Sequence, residues 1–306
     1  MIKVYAISPE AVFDPKIQQA LESFGFHHGR LIGRVPKEWQ KEVSNIYYSK
    51  FPQDKRMEIA LERLYKKRVV KKIPLVEVES KNWVDRASAT NPEDVQAIIC
   101  LQIDPASGTD SRMLGRDDLH DENPIWQIET GVRKHRTAME MAECVRVLLR
   151  YSAVVKFIDP YFSGEPRHMK FVDQCVSVMC AETHGKPIPV ELHTCFFASA
   201  ADDNLARRNR SKPIFDNLEA NVRKSWSARK ARIRIFQWSI VDSGDRFHER
   251  FVSTDCATIE FGGGLDTGSG SEKTSVKLMS KSAHDELSNA YKTDSDVYEL
   301  LRFIDL

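Results

Sequence analysis

The chain has 306 residues, 42% hydrophobic and 29% charged, enough for one large or two medium domains with cores of their own. Its 45 Lys and Arg stand against 44 Asp and Glu, which excludes a global electrostatic pull toward nucleic acid or membrane and leaves only local ones. The near-apolar runs, Ala97 to Ile103 and Ser152 to Ile158, fall far short of the roughly 20 residues a membrane helix needs.

From the start, MIKVYAI predicts a short strand. The charges of the opening MIKVYAISPEAVF do not suit a signal peptide, so no export is expected. Helices are predicted over Pro15 to Phe24, over Pro36 to Tyr48 with proline in the first turn, and over Asp54 to Lys67. The basic run Lys66 to Lys72 reads as a solvated helix end rather than a contact for an anionic partner. Asp104 to Pro124 is rich in Asp, Gly, Ser and Pro and nearly free of apolar residues, as an exposed connection would be. A domain boundary is expected there, with a helix-rich domain over residues 1–125 and a second domain over 126–306.

Beyond this seam the pattern alternates. Ala138, Met141, Val145, Leu148 and Leu149 fall at helical spacing, so Thr137 to Arg150 is an amphipathic helix. It leads into the apolar run Val154 to Phe162, broken by Pro160. A helical stretch (MKFVDQCVSVMC), the strand Val190 to Phe197, a helix over Ile214 to Trp226 and the strand Arg232 to Ser239 follow. Strand–helix–strand–helix–strand is the mark of an α/β domain, and its crossovers make the three strands parallel.

The six cysteines form no CxxC pair and are too scattered to staple the chain. Buried reduced thiols, a cytoplasmic location and no zinc site are expected.

The most informative stretch runs from Phe247 to Asp266, FHERFVSTDCATIEFGGGLD. On extended chain His248 and Arg250 point to the same side. An imidazole there could attack phosphorus or protonate a leaving oxygen, and a guanidinium could grip two phosphate oxygens. Backbone N–H groups at Gly262 and Gly263 could approach an anion closely. With Asp255, the spacing is H-x-[K/R]-x4-D. This pattern, with the glycine turn and the upstream Asp159 to Phe162 (DPYF), resembles the phospholipase D superfamily. It is most similar to the phospholipase-D-like domain at the C-terminus of MIT-domain proteins, whose segments read DPY, HDR and GLD. The resemblance covers about Arg136 to Asp266.

The resemblance implies a phospholipase-D-like α/β fold, catalytic roles for His248, Arg250 and Asp255, and a phosphate site formed by Gly262, Gly263, Asp159 and Asp266. It also implies chemistry without metal or cofactor. The family mechanism uses two histidines and this chain has one such motif, so catalysis would need a homodimer that brings two His248 side chains to one cleft. His168 and Lys170 have H-x-K spacing, but the Asp of the motif is missing and a helix is predicted there. Arg250 stands where active members carry lysine, and Gly263 to Asp266 replaces their Ser and Asn.

Ten Lys and Arg between Leu205 and Arg234, among them Arg207, Arg208, Arg210 and Lys212, stand against Asp216 and Glu219. Such a segment either tracks a phosphodiester backbone or is a solvated helix face. Trp226 and Trp238 fit core positions better than base-stacking ones. The expected function is a metal-independent, nuclease-like phosphodiesterase acting as a homodimer, of the kind used as effectors in bacterial antiviral defence. The alternative is a catalytically inactive module that binds anionic lipid, nucleic acid or a protein partner.

Overall fold

A computed structural model of the chain describes residues 1–67, 70–74, 79–80, 82–103, 110–182, 188–198, 203–226, 231–241 and 250–306. The chain divides into two units, Met1–Thr130 and Gly131–Leu306. The boundary falls five residues beyond the expected one for a physical reason. Trp126 is buried in the first unit's core, packed edge-on to Tyr5 at 5.6 Å, while Lys3 Nζ donates to the carbonyls of Ile125 and Gln127 at 2.8 Å each.

The first unit runs β1 (Lys3–Ile7), α1 (Pro15–Leu21), β2 (Arg30–Arg34), α2 (Trp39–Lys50), α3 (Lys55–Lys67), β3 (Val70–Lys72), α4 (Trp83–Ser88), β4 (Ala97–Ile99) and β5 (Met113–Leu114). Its helices are longer than its strands, yet they flank a five-stranded, wholly parallel sheet in the order β3-β2-β1-β4-β5. Only β1 is legible from sequence: β3, β4 and β5 are too short to show a period, and β2, though as long as β1, has arginine at both ends and a glycine within it. Asp14 starts α1 by accepting from the N–H groups of Lys16 and Ile17. Trp39, fully buried, begins α2 and donates its indole N–H to the Ile7 carbonyl at the end of β1.

The second unit runs β6 (Gly131–His135), α5 (Ala138–Tyr151), β7 (Val155–Ile158), α6 (Pro166–Glu182), β8 (Val190–Ala198), α7 (Asn204–Trp226), β9 (Ile233–Val241), β10 (Phe251–Thr254), β11 (Thr258–Phe261), β12 (Lys273–Leu278), α8 (Lys281–Ala290) and β13 (Glu299–Asp305). Its eight-stranded sheet has the order β13-β9-β8-β7-β10-β11-β12-β6. The central strands β7, β8 and β9 are parallel, as expected, and the remaining pairings are antiparallel. Each unit is thus mixed α/β.

Thr137 caps α5 by accepting from Glu140 N, and the Glu140 carboxylate accepts in return from His135 N. The apolar stripe read from the sequence is the buried face of this helix: Met141, Val145, Leu148 and Leu149. It packs beside α6, whose Phe171 meets Phe157 of β7 edge-on at 5.8 Å. Ile158, the next residue of β7, turns instead to a second cluster with Cys195, Phe236, Trp238 and Tyr291. The sheet is therefore buried on both faces at its centre, as parallel strands require.

Candidate functional site

The strand directions bring one set of loops to one edge of the second sheet. β10 is antiparallel to β7, with Phe251 opposite Ile158, so Arg250 lies at the carboxyl edge of the parallel strands. β11 returns beside it and ends at Phe261, which delivers residues 262 to 266 to the same edge. Asp159 and Tyr161 follow β7 there, and Phe197 lies near the end of β8. His248, the expected nucleophile, lies outside the described residues, so only its neighbour Arg250 can be located.

The DPYF and GGGLD segments meet through Asp159. Its carboxylate is 2% exposed and bonded on both oxygens, Oδ1 accepting from Tyr161 N at 2.9 Å and Oδ2 from Leu265 N at 3.0 Å. The glycine turn is closed in the same way. Gly262 N donates to the Ser275 carbonyl at 3.0 Å, Gly263 N to Thr274 Oγ1 at 2.9 Å and Gly264 N to the Phe261 carbonyl at 3.3 Å. Gly264 has φ +107°, a conformation that side chains resist.

These bonds correct the expected phosphate site. The N–H groups of Gly262 and Gly263 are already satisfied by protein, and Asp159 is a buried clamp rather than a phosphate ligand. Asp266 pairs with Arg136, whose second amino group reaches Glu272 Oε2 at 3.1 Å, and stands 3.9 Å from Arg167. A carboxylate therefore sits between two guanidinium groups, where an incoming anion would otherwise be attracted. Asp255 is also corrected. It lies past the far end of β10, about 16 Å along the strand from Arg250 at ~3.3 Å per residue, and accepts from Ala153 N at 2.8 Å. That is a structural role at the opposite edge of the sheet.

Arg250 is different. It is half-buried, and among the described residues no carboxylate pairs with it. Its guanidinium carbon stands 5.3 Å from the centroid of Tyr161, and Tyr161 stacks on Phe197 at 5.3 Å with 28° between the rings. Both rings are open to solvent, Tyr161 at 49% and Phe197 at 42%. Tyr161 lies inside the DPYF motif, but nothing in the sequence pairs it with Phe197.

His168 joins the site from beneath. It lies in the first turn of α6, is 2% exposed and stands 3.3 Å from Ser163 Oγ and 5.0 Å from the Phe162 ring. Burial lowers its pKa, against the opposing pull of Asp159 and Asp266. Its burial keeps it from acting as a surface nucleophile.

Among the described residues of the basic segment, five cations have carboxylate partners. Arg207 pairs with Glu299 at 3.4 Å, Lys212 with Asp216 at 2.6 Å, Arg223 with Glu219 at 2.7 Å, Arg232 with Asp305 and Arg234 with Glu191 at 3.4 Å. Arg210 lies over the Phe196 ring at 5.9 Å, and no carboxylate among the described residues pairs with Arg208. Of the four cations expected to hold nucleic acid, Arg207 and Lys212 are thus committed to internal pairs. Trp226 and Trp238 are core residues, 6% and 1% exposed.

His193 is a buried structural histidine. Trp238 Nε1 donates to its Nδ1 at 3.0 Å, which places the ring proton on Nε2, 3.3 Å from Glu191 Oε2. The ring stacks on Phe236 with centroids 4.7 Å apart. Burial pulls its pKa down to about 4, outweighing Glu191. Burial by itself would raise Glu191, but the bond from His193 and the charges of Lys156 and Arg234 hold its pKa low. A histidine lowered from about 6.5 stabilises the fold fully above pH 6.5 and loses that contribution as the pH falls toward 4, by about 3 kcal/mol. Urea denaturation between pH 7.5 and 4 is expected to show this decline, and an NMR titration midpoint for His193 near 6.5 would contradict it.

In the first unit, the strand order reverses between β1 and β4, where open parallel sheets commonly take ligands. That place is occupied by protein. Ser8 N donates to the Ile99 carbonyl at 2.8 Å, the Trp39 indole covers Ile7, and no glycine-rich loop follows β1.

No family model matches the chain, and no curated protein matches it. Among solved structures it is similar to TrmBL2, an archaeal chromatin protein described as showing a novel mode of DNA binding, with 11% identity and a TM-score of 0.24. The match spans 55% of this chain and 53% of that one, about half of each.

Proposed function

We propose that residues 131–306 form a phospholipase-D-like module that binds phosphodiester groups at the carboxyl edge of its parallel strands, with Arg250 as the cation that meets phosphate. The observation that carries this reading is the Arg250 guanidinium, half-buried at that edge and with no carboxylate partner among the described residues. A planar guanidinium in such a place can bond two phosphate oxygens at once. The engaged glycine amides and the Asp266–Arg136 pair favour binding over catalysis, because they leave few donors for a developing negative charge.

Hydrolysis is the second reading, favoured by the same-face spacing of His248 and Arg250. In it, two chains pair so that His248 of each attacks or protonates one phosphodiester without a metal ion. Two measurements separate the readings. Arg250→Ala should weaken binding of an oligonucleotide or anionic vesicle about tenfold, the scale of one charge-assisted hydrogen bond. Binding unchanged by Arg250→Ala would overturn the proposal. Turnover of bis(p-nitrophenyl) phosphate in excess EDTA, lost in His248→Ala, would establish hydrolysis instead.

A further inference from the structure

We infer that the ligand of this edge is a single-stranded nucleic acid, one base of which stacks on the exposed Tyr161–Phe197 pair while Arg250 holds an adjacent phosphate. This deepens the phosphodiester reading above and rests on it. The argument begins with the cost of the arrangement. Two aromatic rings, each nearly half open to water, are held 5.3 Å apart at 28°, one just beyond β7 and the other near the end of its parallel neighbour β8. The hydrophobic effect alone would favour covering such rings rather than presenting them. A planar base covers them at little entropic cost, because Asp159 already fixes the backbone of Tyr161 through a 2.9 Å bond to its N–H.

The cation completes the recognition. Arg250 lies over Tyr161, so a base against the pair and a phosphate on the guanidinium would fall within one nucleotide of each other. Anionic lipid headgroups and free phosphate share the charge but have no π-face to place on the rings. Duplex DNA has its bases stacked inward, which leaves a single strand as the form that uses both elements. The carboxylate pairing of Arg207, Lys212, Arg223, Arg232 and Arg234 agrees with a short contact, in which affinity comes from stacking and one or two phosphates rather than from a long cationic track.

The test measures the full chain by fluorescence anisotropy against labelled oligothymidylate and oligouridylate of about 12 nucleotides, within the size range of single-strand platforms. An abasic deoxyribose phosphate oligomer of equal length, the corresponding duplex and phosphatidylserine vesicles are measured in the same buffer. Base-bearing single strands should bind about 5- to 100-fold more tightly than the abasic one, the range that stacking of one base covers. Tyr161→Ala and Phe197→Ala should reduce the base-bearing affinity to the abasic level and leave the abasic affinity unchanged. Tyr161→Phe and Phe197→Trp should restore it, which separates lost stacking from lost folding. Equal affinity for base-bearing and abasic strands overturns this inference and leaves the phosphodiester reading intact, as does binding confined to vesicles. Binding to none of the probes overturns both.

Discussion

Replacing Trp238 with Ala is expected to destabilise residues 131–306 by about 3–5 kcal/mol, the scale for removing a buried aromatic side chain. The indole is 1% exposed, stacks at 5.9 Å with His193 and meets Tyr291 edge-on at 5.7 Å. It also donates to His193 Nδ1 at 3.0 Å, so its removal leaves a buried acceptor without this partner. Trp238→Phe separates the two effects. It retains most of the packing but not the N–H, so it should cost less than Trp238→Ala while allowing His193 to take a proton at higher pH. Urea denaturation followed by far-ultraviolet circular dichroism measures the first effect and an NMR titration of His193 the second. A cost below about 1 kcal/mol for Trp238→Ala would contradict the packing described.

Removing the carboxylate of Asp159 should act on the site itself. Asp159→Ala leaves two N–H groups, on Tyr161 and Leu265, without their acceptor; Leu265 is fully buried. At about 1–3 kcal/mol for each unsatisfied group, the loss is expected to reach about 2–5 kcal/mol, the lower end applying where water reaches Tyr161 N. The turn through Gly264 should loosen first, since Asp159 Oδ2 is what ties Leu265 to the end of β7. Hydrogen exchange should therefore accelerate at the Leu265 amide in this variant. Unchanged exchange there would show that the turn is held by its other bonds alone.

The legible parts of the fold were those with long periodic signals. The α5 stripe, the apolar runs of β7, β8 and β9 and their parallel order all follow from residue pattern, because each element is long enough to show its period and is buried where the pattern says. The first unit's sheet was hidden by its brevity: β3 and β4 have three residues each and β5 two. β6 escaped for a different reason, since GVRKH is polar and largely exposed. β12 alternates buried Thr274, Val276 and Leu278 with exposed neighbours and could have been found from that alternation. α7 is longer than the expected Ile214 to Trp226: it starts at Asn204 and carries Pro213 within it.

The site was legible as a set of motifs but not as a set of roles. The sequence brought DPYF and GGGLD together only through resemblance; the structure supplies the cause, one buried carboxylate that accepts from both. Spacing could not reveal that the glycine amides are bonded internally or that Asp255 lies across the length of β10. Both depend on which strand returns beside which. The Tyr161–Phe197 stack joins residues 36 positions apart and has no sequence signature.

The placement of β6 also bears on how the chain is made. The first unit's strands all come from residues 3–114, so its sheet can close early in synthesis. β6 emerges next but lies beside β12, with His135 opposite Lys273 and Gly131 opposite Lys277. At ribosomal speeds it waits on the order of ten seconds for that neighbour. Meanwhile its open backbone is a template for mispairing with other nascent chains. Arg133 and Lys134, useless to the core and exposed on the finished strand, put two positive charges along the edge during that interval. β6 is also the edge strand of the finished sheet, so the same charges are expected to guard that edge after β12 has paired with it.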